Sequence, residues 1–273
     1  MAFAQRERVV APPAVRLTPA SGRAAMFDQR DDRRDDPHGF SHHLPHFDAQ
    51  GGATAMRSLS WGLEYLCYLR HLALLIEELG ATSLLDVGCG DARLFQMLPP
   101  HVTRRLGIDL SERAIGFARA FNPSEDFRVC AATAVREQFE LVTAVDVLQY
   151  VPDDGVSGFL RSLDARVAPG GHAIIAVPSL VIPLEATHYR HYDERLLRTQ
   201  VKESGAKLHI VSVEHVFRHR AFAHRWLALL ENRFWTLDAK PLRRFTWNLV
   251  WKHLRMGTAR NARHVVTVLR KMS

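Results

Sequence analysis

Two glycines and three acids carry the clearest chemistry in this chain. The stretch LLDVGCGDARLFQML, Leu84 to Leu98, runs from an apolar segment into Asp86, Gly88, Cys89, Gly90 and Asp91. Glycines between a strand and a helix permit a tight turn and let a ligand approach the backbone closely. Asp109 ends the next apolar segment, nineteen residues after Gly90. A carboxylate there can accept hydrogen bonds from both hydroxyls of a ribose. The dinucleotide pattern G-x-G-x-x-G fails at its third glycine, where Arg93 stands, and the phosphate loop G-x-x-x-x-G-K-[ST] is absent. Asp86 and Asp91 would repel a pyrophosphate. The loop suits a nucleoside with a cationic amino acid end, the character of S-adenosylmethionine.

Alternating elements must position this loop. Apolar residues Leu63, Leu66, Leu69, Leu72, Ile76 and Leu79 predict a helix over 59–79, stopped by Gly80. Strands are expected at 83–88, 105–110, 127–132, 139–148, 172–178, 207–217 and 264–271. Helices are expected at 91–98, 111–121 with Ser111 as N-cap, 155–167 and 193–205, and a turn at Pro169–Gly170–Gly171. Strands alternating with helices imply a parallel sheet covered on both faces. In such a sheet, ligands bind beyond the carboxyl ends of the strands, where the first loop lies.

Composition bounds the rest. The chain has 273 residues, 47% of them hydrophobic and 24% charged, an ordinary globular balance. Cys67, Cys89 and Cys130 have no paired spacing, which argues against a disulfide scaffold or a zinc site. No apolar run is long enough to span a bilayer and the N-terminus has no continuous apolar h-region, so a cytoplasmic location is expected. Residues 1–36, with the run DQRDDRRDD, predict a mobile tail. Residues 218–263 hold eleven Lys or Arg and two acids, which leaves the remainder of this +7 chain close to neutral.

Four segments in order and register resemble the class I S-adenosylmethionine-dependent methyltransferases of small-molecule type. LLDVGCGDARL is similar to their first motif, LGIDLSERAIGFARA to the second and FELVTAVDVLQYVPD to the fourth. LDARVAPGGHAIIAVP is similar to the lead into their fifth strand. The resemblance covers about residues 60–217, with a closing strand at 264–271. It implies an α/β, Rossmann-like, doubly wound seven-stranded sheet with an antiparallel last strand, an N-terminal helical lid and a helical insert before that strand. The domains would be lid and helix 37–80, core 81–217, insert 218–263 and final strand 264–273. The resemblance also implies S-adenosylmethionine as cofactor, with S-adenosylhomocysteine as product. Asp86, Gly88, Cys89 and Gly90 would form the methionine-side loop, Asp109 would bind the ribose and Leu110 would lie beside the adenine. Asp146, Val147 and Gln149 would close over the methionine end and face the substrate. The sequence departs from the pattern at Ala92 for the third glycine and Glu140 for an aspartate. It departs again at Ala131, where an acid often meets the adenine amino group; backbone or Thr133 would have to replace it.

A hydroxyl acceptor usually needs a base, and histidine suits neutral pH. His188 and His191, in THYRHYDERLL after the fifth strand, are the first candidates. His42 and His46, in FSHHLPHF on the expected lid, are the alternatives. No metal is expected, because neither cluster has a metal-ligand spacing. The insert holds four of the five tryptophans, with helical stripes at Phe222/Trp226/Leu230/Phe234 and Leu242/Phe245/Leu249, the second extending toward Trp251 and Leu254. Three uses fit it: a helical pair packed on the core that caps an anionic acceptor, a peripheral membrane surface, and an RNA surface. The expected reaction is O- or N-methylation of a small molecule, with an anionic natural-product, sugar or nucleotide-linked intermediate among the candidate acceptors. An RNA methyltransferase and a non-catalytic scaffold with a docking insert are the rival readings.

Overall fold

A computed structural model describes residues 61–220, 225–226, 229 and 240–272. The tail and the lid with His42 and His46 lie outside the described residues, as do Phe222, Leu230 and Phe234 of the first insert stripe. The described elements are α1 (Trp61–Leu79), β1 (Ser83–Val87), β2 (Arg104–Asp109), α2 (Glu112–Phe121), β3 (Asp126–Val129), β4 (Phe139–Val145), α3 (Val156–Arg166), β5 (Val167–Pro178), α4 (Glu194–Glu203), β6 (Leu208–Arg218), α5 (Lys240–His253) and β7 (Ala262–Lys271).

One seven-stranded sheet runs in the order β3-β2-β1-β4-β5-β7-β6. β1 pairs in parallel with β2 and β4, and β4 with β5. β7 is antiparallel to both β5 and β6, as the resemblance implied. Successive strand residues point to opposite faces. Leu84, Leu141 and Ile174 therefore pack with α1, α2 and α5. Their neighbours Leu85, Val142 and Ile175 pack with α3 and α4. Ser111 Oγ accepts the Ala114 amide at 3.2 Å and starts α2 as expected.

Several expectations are corrected. Residues 91–98 form only a 3-10 turn, Arg93–Met97, because Ala92 is left-handed before it and Pro99 and Pro100 follow. The Pro169–Gly171 turn is a bulge inside the continuous strand β5, where Val167 pairs with Phe139 and His172 with Leu141. β4 stops at Val145, three residues short, because Asp146 takes a φ of 51°. In α5 the buried face is Thr246 and Val250, continued by Leu254 just past its end and flanked by Leu242, Trp247 and Trp251, while Phe245 and Leu249 are exposed. Thr246 occupies a buried position with a polar residue, which disguised the face. β7 begins at Ala262, so the connection after β6 is 219–261.

Candidate active site

The chain order reverses between β1 and β4, the crevice where open α/β sheets bind ligands. A cleft of about 370 Å³ opens there, floored by the ends of β1, β2 and β4. The loop after β1 folds through positive φ at Gly88 (74°), Gly90 (57°) and Ala92 (57°). Gly88 and Cys89 donate their amides to the Ile108 carbonyl at 2.8 and 3.0 Å. A Cβ on Gly88 would meet Val147 Cγ2 at 2.3 Å, so both conformation and space require glycine. Asp109 is oriented by two amides: Gly90 N–H donates to Oδ2 at 3.0 Å and Ser111 N–H to Oδ1 at 2.8 Å. Asp109 lines the cleft, where its carboxylate can accept hydroxyls.

Buried acids crowd the same cleft. Asp86 accepts the Thr143 hydroxyl at 2.7 Å. Burial pushes its carboxyl up to about 7, against that hydrogen bond and with the charge of Asp109 adding to the rise. Burial pushes Asp91 up to about 6, opposed by Arg93. Asp146 is likewise pushed up to about 6 by burial. Carboxylates held together out of water favour a cation and disfavour a phosphate. A ribose for Asp109 and an ammonium or sulfonium for Asp86 and Asp91 match S-adenosylmethionine; a pyrophosphate matches neither.

The structure brings most of the expected cofactor residues to this cleft. Asp86, Gly88, Cys89, Gly90, Asp109, Leu110, Asp146 and Val147 all line it. The Cys89 thiol lies close to Gly107 and the residue is buried. Gln149 does not line it; the residue is buried and its carbonyl accepts the Tyr189 amide at 2.9 Å. Ala131 and Thr133 line the cleft where the adenine-contacting acid was missing.

His188 and His191 do not line it either. His188 Nδ1 meets His191 Nε2 at 2.8 Å, and His191 Nδ1 meets the Ile182 carbonyl at 3.0 Å. His188 sits edge-on to Tyr150, which does line the cleft. Burial lowers the pKa of His188, with Glu185 opposing and His191 assisting. Sequence reasoning missed Tyr65, Leu69, Arg93, Tyr150 and Phe159 as cleft residues. Tyr65 and Leu69 lie one turn apart on α1, where a tyrosine inside an apolar stripe was the available signal. No described residue of 218–263 lines the cleft; there Arg255 lies over the Trp251 ring and Arg263 pairs with Glu64.

A doubly wound sheet with a ribose-and-cation cleft at its switch point defines a class I S-adenosylmethionine-dependent methyltransferase. Residues 59–229 match the family model described as a methyltransferase domain, and the chain belongs to that family. It is similar to the ubiquinone biosynthesis O-methyltransferase of Pseudomonas fluorescens (strain SBW25), 30% identical over 107 residues, covering 36% of this chain and 45% of that one. It is also similar to the protein of the same name from Sinorhizobium medicae (strain WSM419), 32% identical over 107 residues, covering 37% and 42%. The chain thus spans less than half the length of these curated relatives. Among solved structures it resembles a SAM-dependent methyltransferase from Archaeoglobus fulgidus, with a TM-score of 0.54 and 13% identity over 79% of this chain and 98% of that one. It also resembles the N-methyltransferase NodS of Bradyrhizobium japonicum WM9 in complex with S-adenosyl-l-homocysteine, with a TM-score of 0.50 and 17% identity over 77% and 88%. These structural likenesses speak for the fold alone.

Proposed function

We propose that this methyltransferase acts on a hydroxyl group of a small molecule. The observation that carries the oxygen acceptor is the likeness to O-methyltransferases at 30% and 32% identity. A cleft walled in part by Tyr65, Leu69 and Tyr150 supports a compact acceptor with an apolar or aromatic body. Asp109 takes the ribose hydroxyls of the cofactor, and Gly88 and Gly90 let its amino acid end lie against the backbone. Asp86 and Asp91 face its positive charge. When bound, S-adenosylmethionine supplies an electrophilic methyl group on sulfur. The protein contributes in-line positioning of the acceptor and exclusion of water.

The test is transfer of labelled methyl to a panel of hydroxylated aromatics, amines, sugar nucleotides and RNA. Label in a hydroxylated small molecule, with stoichiometric S-adenosylhomocysteine, is the expected result. Label confined to amines or RNA would overturn the reading.

A further inference from the structure

A buried polar cluster borders the cleft on the β4 side, across β1 from Asp109. It draws on α1, the turn after β4 and the start of β7. Asp146 lines the cleft and holds a φ of 51°, a value that a non-glycine residue keeps only where its surroundings enforce it. Its amide donates to the Ala176 carbonyl of β5 at 2.9 Å, which pins the turn. Glu64 of α1 is buried; it accepts from Arg263 Nε at 2.5 Å and meets His264 Nε2 at 3.2 Å. The His264 ring stacks on Tyr68, with centroids 4.1 Å apart. The Tyr68 hydroxyl is buried, interacts with the Asp146 carboxylate and completes no hydrogen bond among the described residues. A row of groups therefore leads from Glu64 through His264 and Tyr68 to Asp146. Of these four, only Asp146 lines the cleft.

Asp109 suits the ribose, and Asp86 and Asp91 suit the cationic end. Asp146 is a further carboxyl in the same cleft. His191 is held by His188 and the Ile182 carbonyl, and neither histidine lines the cleft.

We propose that Asp146 accepts the proton of the acceptor hydroxyl, and that Glu64, His264 and Tyr68 are its positioning residues. This rests on the hydroxyl-methylation reading above. The proton passes from the acceptor oxygen to a carboxylate oxygen of Asp146. The acceptor oxygen forms the new bond to the methyl carbon with its own electron pair, and the pair of the broken S–C bond stays on sulfur. Burial pushes the Asp146 carboxyl up to about 6; His264 and Tyr68 hold it back, while Glu64 and Glu185 add to the rise. That leaves it ionised at neutral pH and more basic than an ordinary aspartate, as a proton acceptor requires.

The experiment compares wild type, Asp146→Asn and His264→Gln, each full length. S-adenosylhomocysteine affinity is measured by calorimetry. Binding of 4-ethylcatechol, a neutral probe, to the S-adenosylhomocysteine-loaded protein is followed by NMR from pH 5 to 8. kcat is measured with the best acceptor from the panel. In Asp146→Asn, kcat should fall about 100-fold, a loss at least tenfold larger than any fall in S-adenosylhomocysteine affinity. Wild-type catechol affinity should fall as pH drops through about 6, and that dependence should vanish in the variant. In His264→Gln the acid limb of kcat/KM should move to higher pH, because the group that holds Asp146 down is gone; this variant keeps the test open should Asp146→Asn misfold. A kcat within threefold of wild type in Asp146→Asn, or a matching loss of S-adenosylhomocysteine affinity, would overturn the assignment. A wild type that binds S-adenosylhomocysteine yet methylates no hydroxyl would instead sink the O-methylation reading.

Discussion

Cofactor binding should be strongly proton-linked, and Asp86 sets the scale. Its carboxyl lies in the cleft with a pKa of about 7 against an ordinary 3.8, chiefly through burial. A cationic ligand favours the ionised form, so binding draws that pKa down and releases a proton. The sign follows: affinity is full above about pH 7 and falls as pH drops through it. Below that point each pH unit removes about tenfold in affinity, or about 1.4 kcal/mol. Between pH 8 and pH 5, Asp86 alone should weaken binding by about 100-fold. Asp91, raised to about 6, should steepen the loss below that value. Because these carboxyls share one cleft, the measured pKa values belong to the set. The assay is calorimetry with S-adenosylhomocysteine, which keeps the ammonium and is not consumed. Titrations at pH 6.5 in two buffers of different protonation enthalpy should differ by the heat of the released protons. Asp86→Asn should shift the onset of the loss down toward pH 6. A constant Kd from pH 8 to pH 5, with identical heats in both buffers, would refute the electrostatic account of the loop.

Other perturbations probe separate parts of the site. Gly88→Ala must fit a methyl 2.3 Å from Val147 Cγ2 at a φ of 74°; chemical denaturation should show a loss of about 2–4 kcal/mol. Asp109→Ala removes the acceptor of the Gly90 and Ser111 amides as well as of the ribose, and S-adenosylhomocysteine affinity should fall about 100-fold or more; unchanged affinity would end the ribose assignment. His191→Ala should lower stability by about 1–3 kcal/mol, because a buried ring with two partners is lost. Its kcat should stay within a few fold, whereas a histidine acting as the base would show about 100-fold or more.

The Gly88–Asp109 side of the cleft was legible because its determinants are local. Gly88, Gly90 and Asp109 sit at strand ends, and strand periodicity places strand ends well. The cluster around Asp146 was not legible for the opposite reason. Glu64 and His264 are 200 residues apart, and nothing in either neighbourhood announces that they meet. His188 and His191 look like bases in sequence, yet the turn after β5 points them at each other. Gln149 was misplaced because the apolar run 139–148 reads as continuous strand, whereas Asp146 breaks it and a one-turn 3-10 helix follows at Leu148–Tyr150. The α5 face was rotated because Thr246, polar by type, is almost fully buried.

The place of β7 in the sheet has a consequence for the order of assembly. β7 is inserted between β5 and β6, and among the described residues β6 pairs with no other strand. The open edge of β5 must therefore wait from Pro178 until Ala262 has been made, which takes about 4–17 s at ordinary translation rates of about 5–20 residues per second. An unpaired edge is a template for wrong partners during that interval. The nucleoside-binding loop and β4 are complete long before it ends. Arg263 and His264 arrive only with β7, so the loop of Gly88 and Gly90 is made well before the cluster around Asp146 has its final setting.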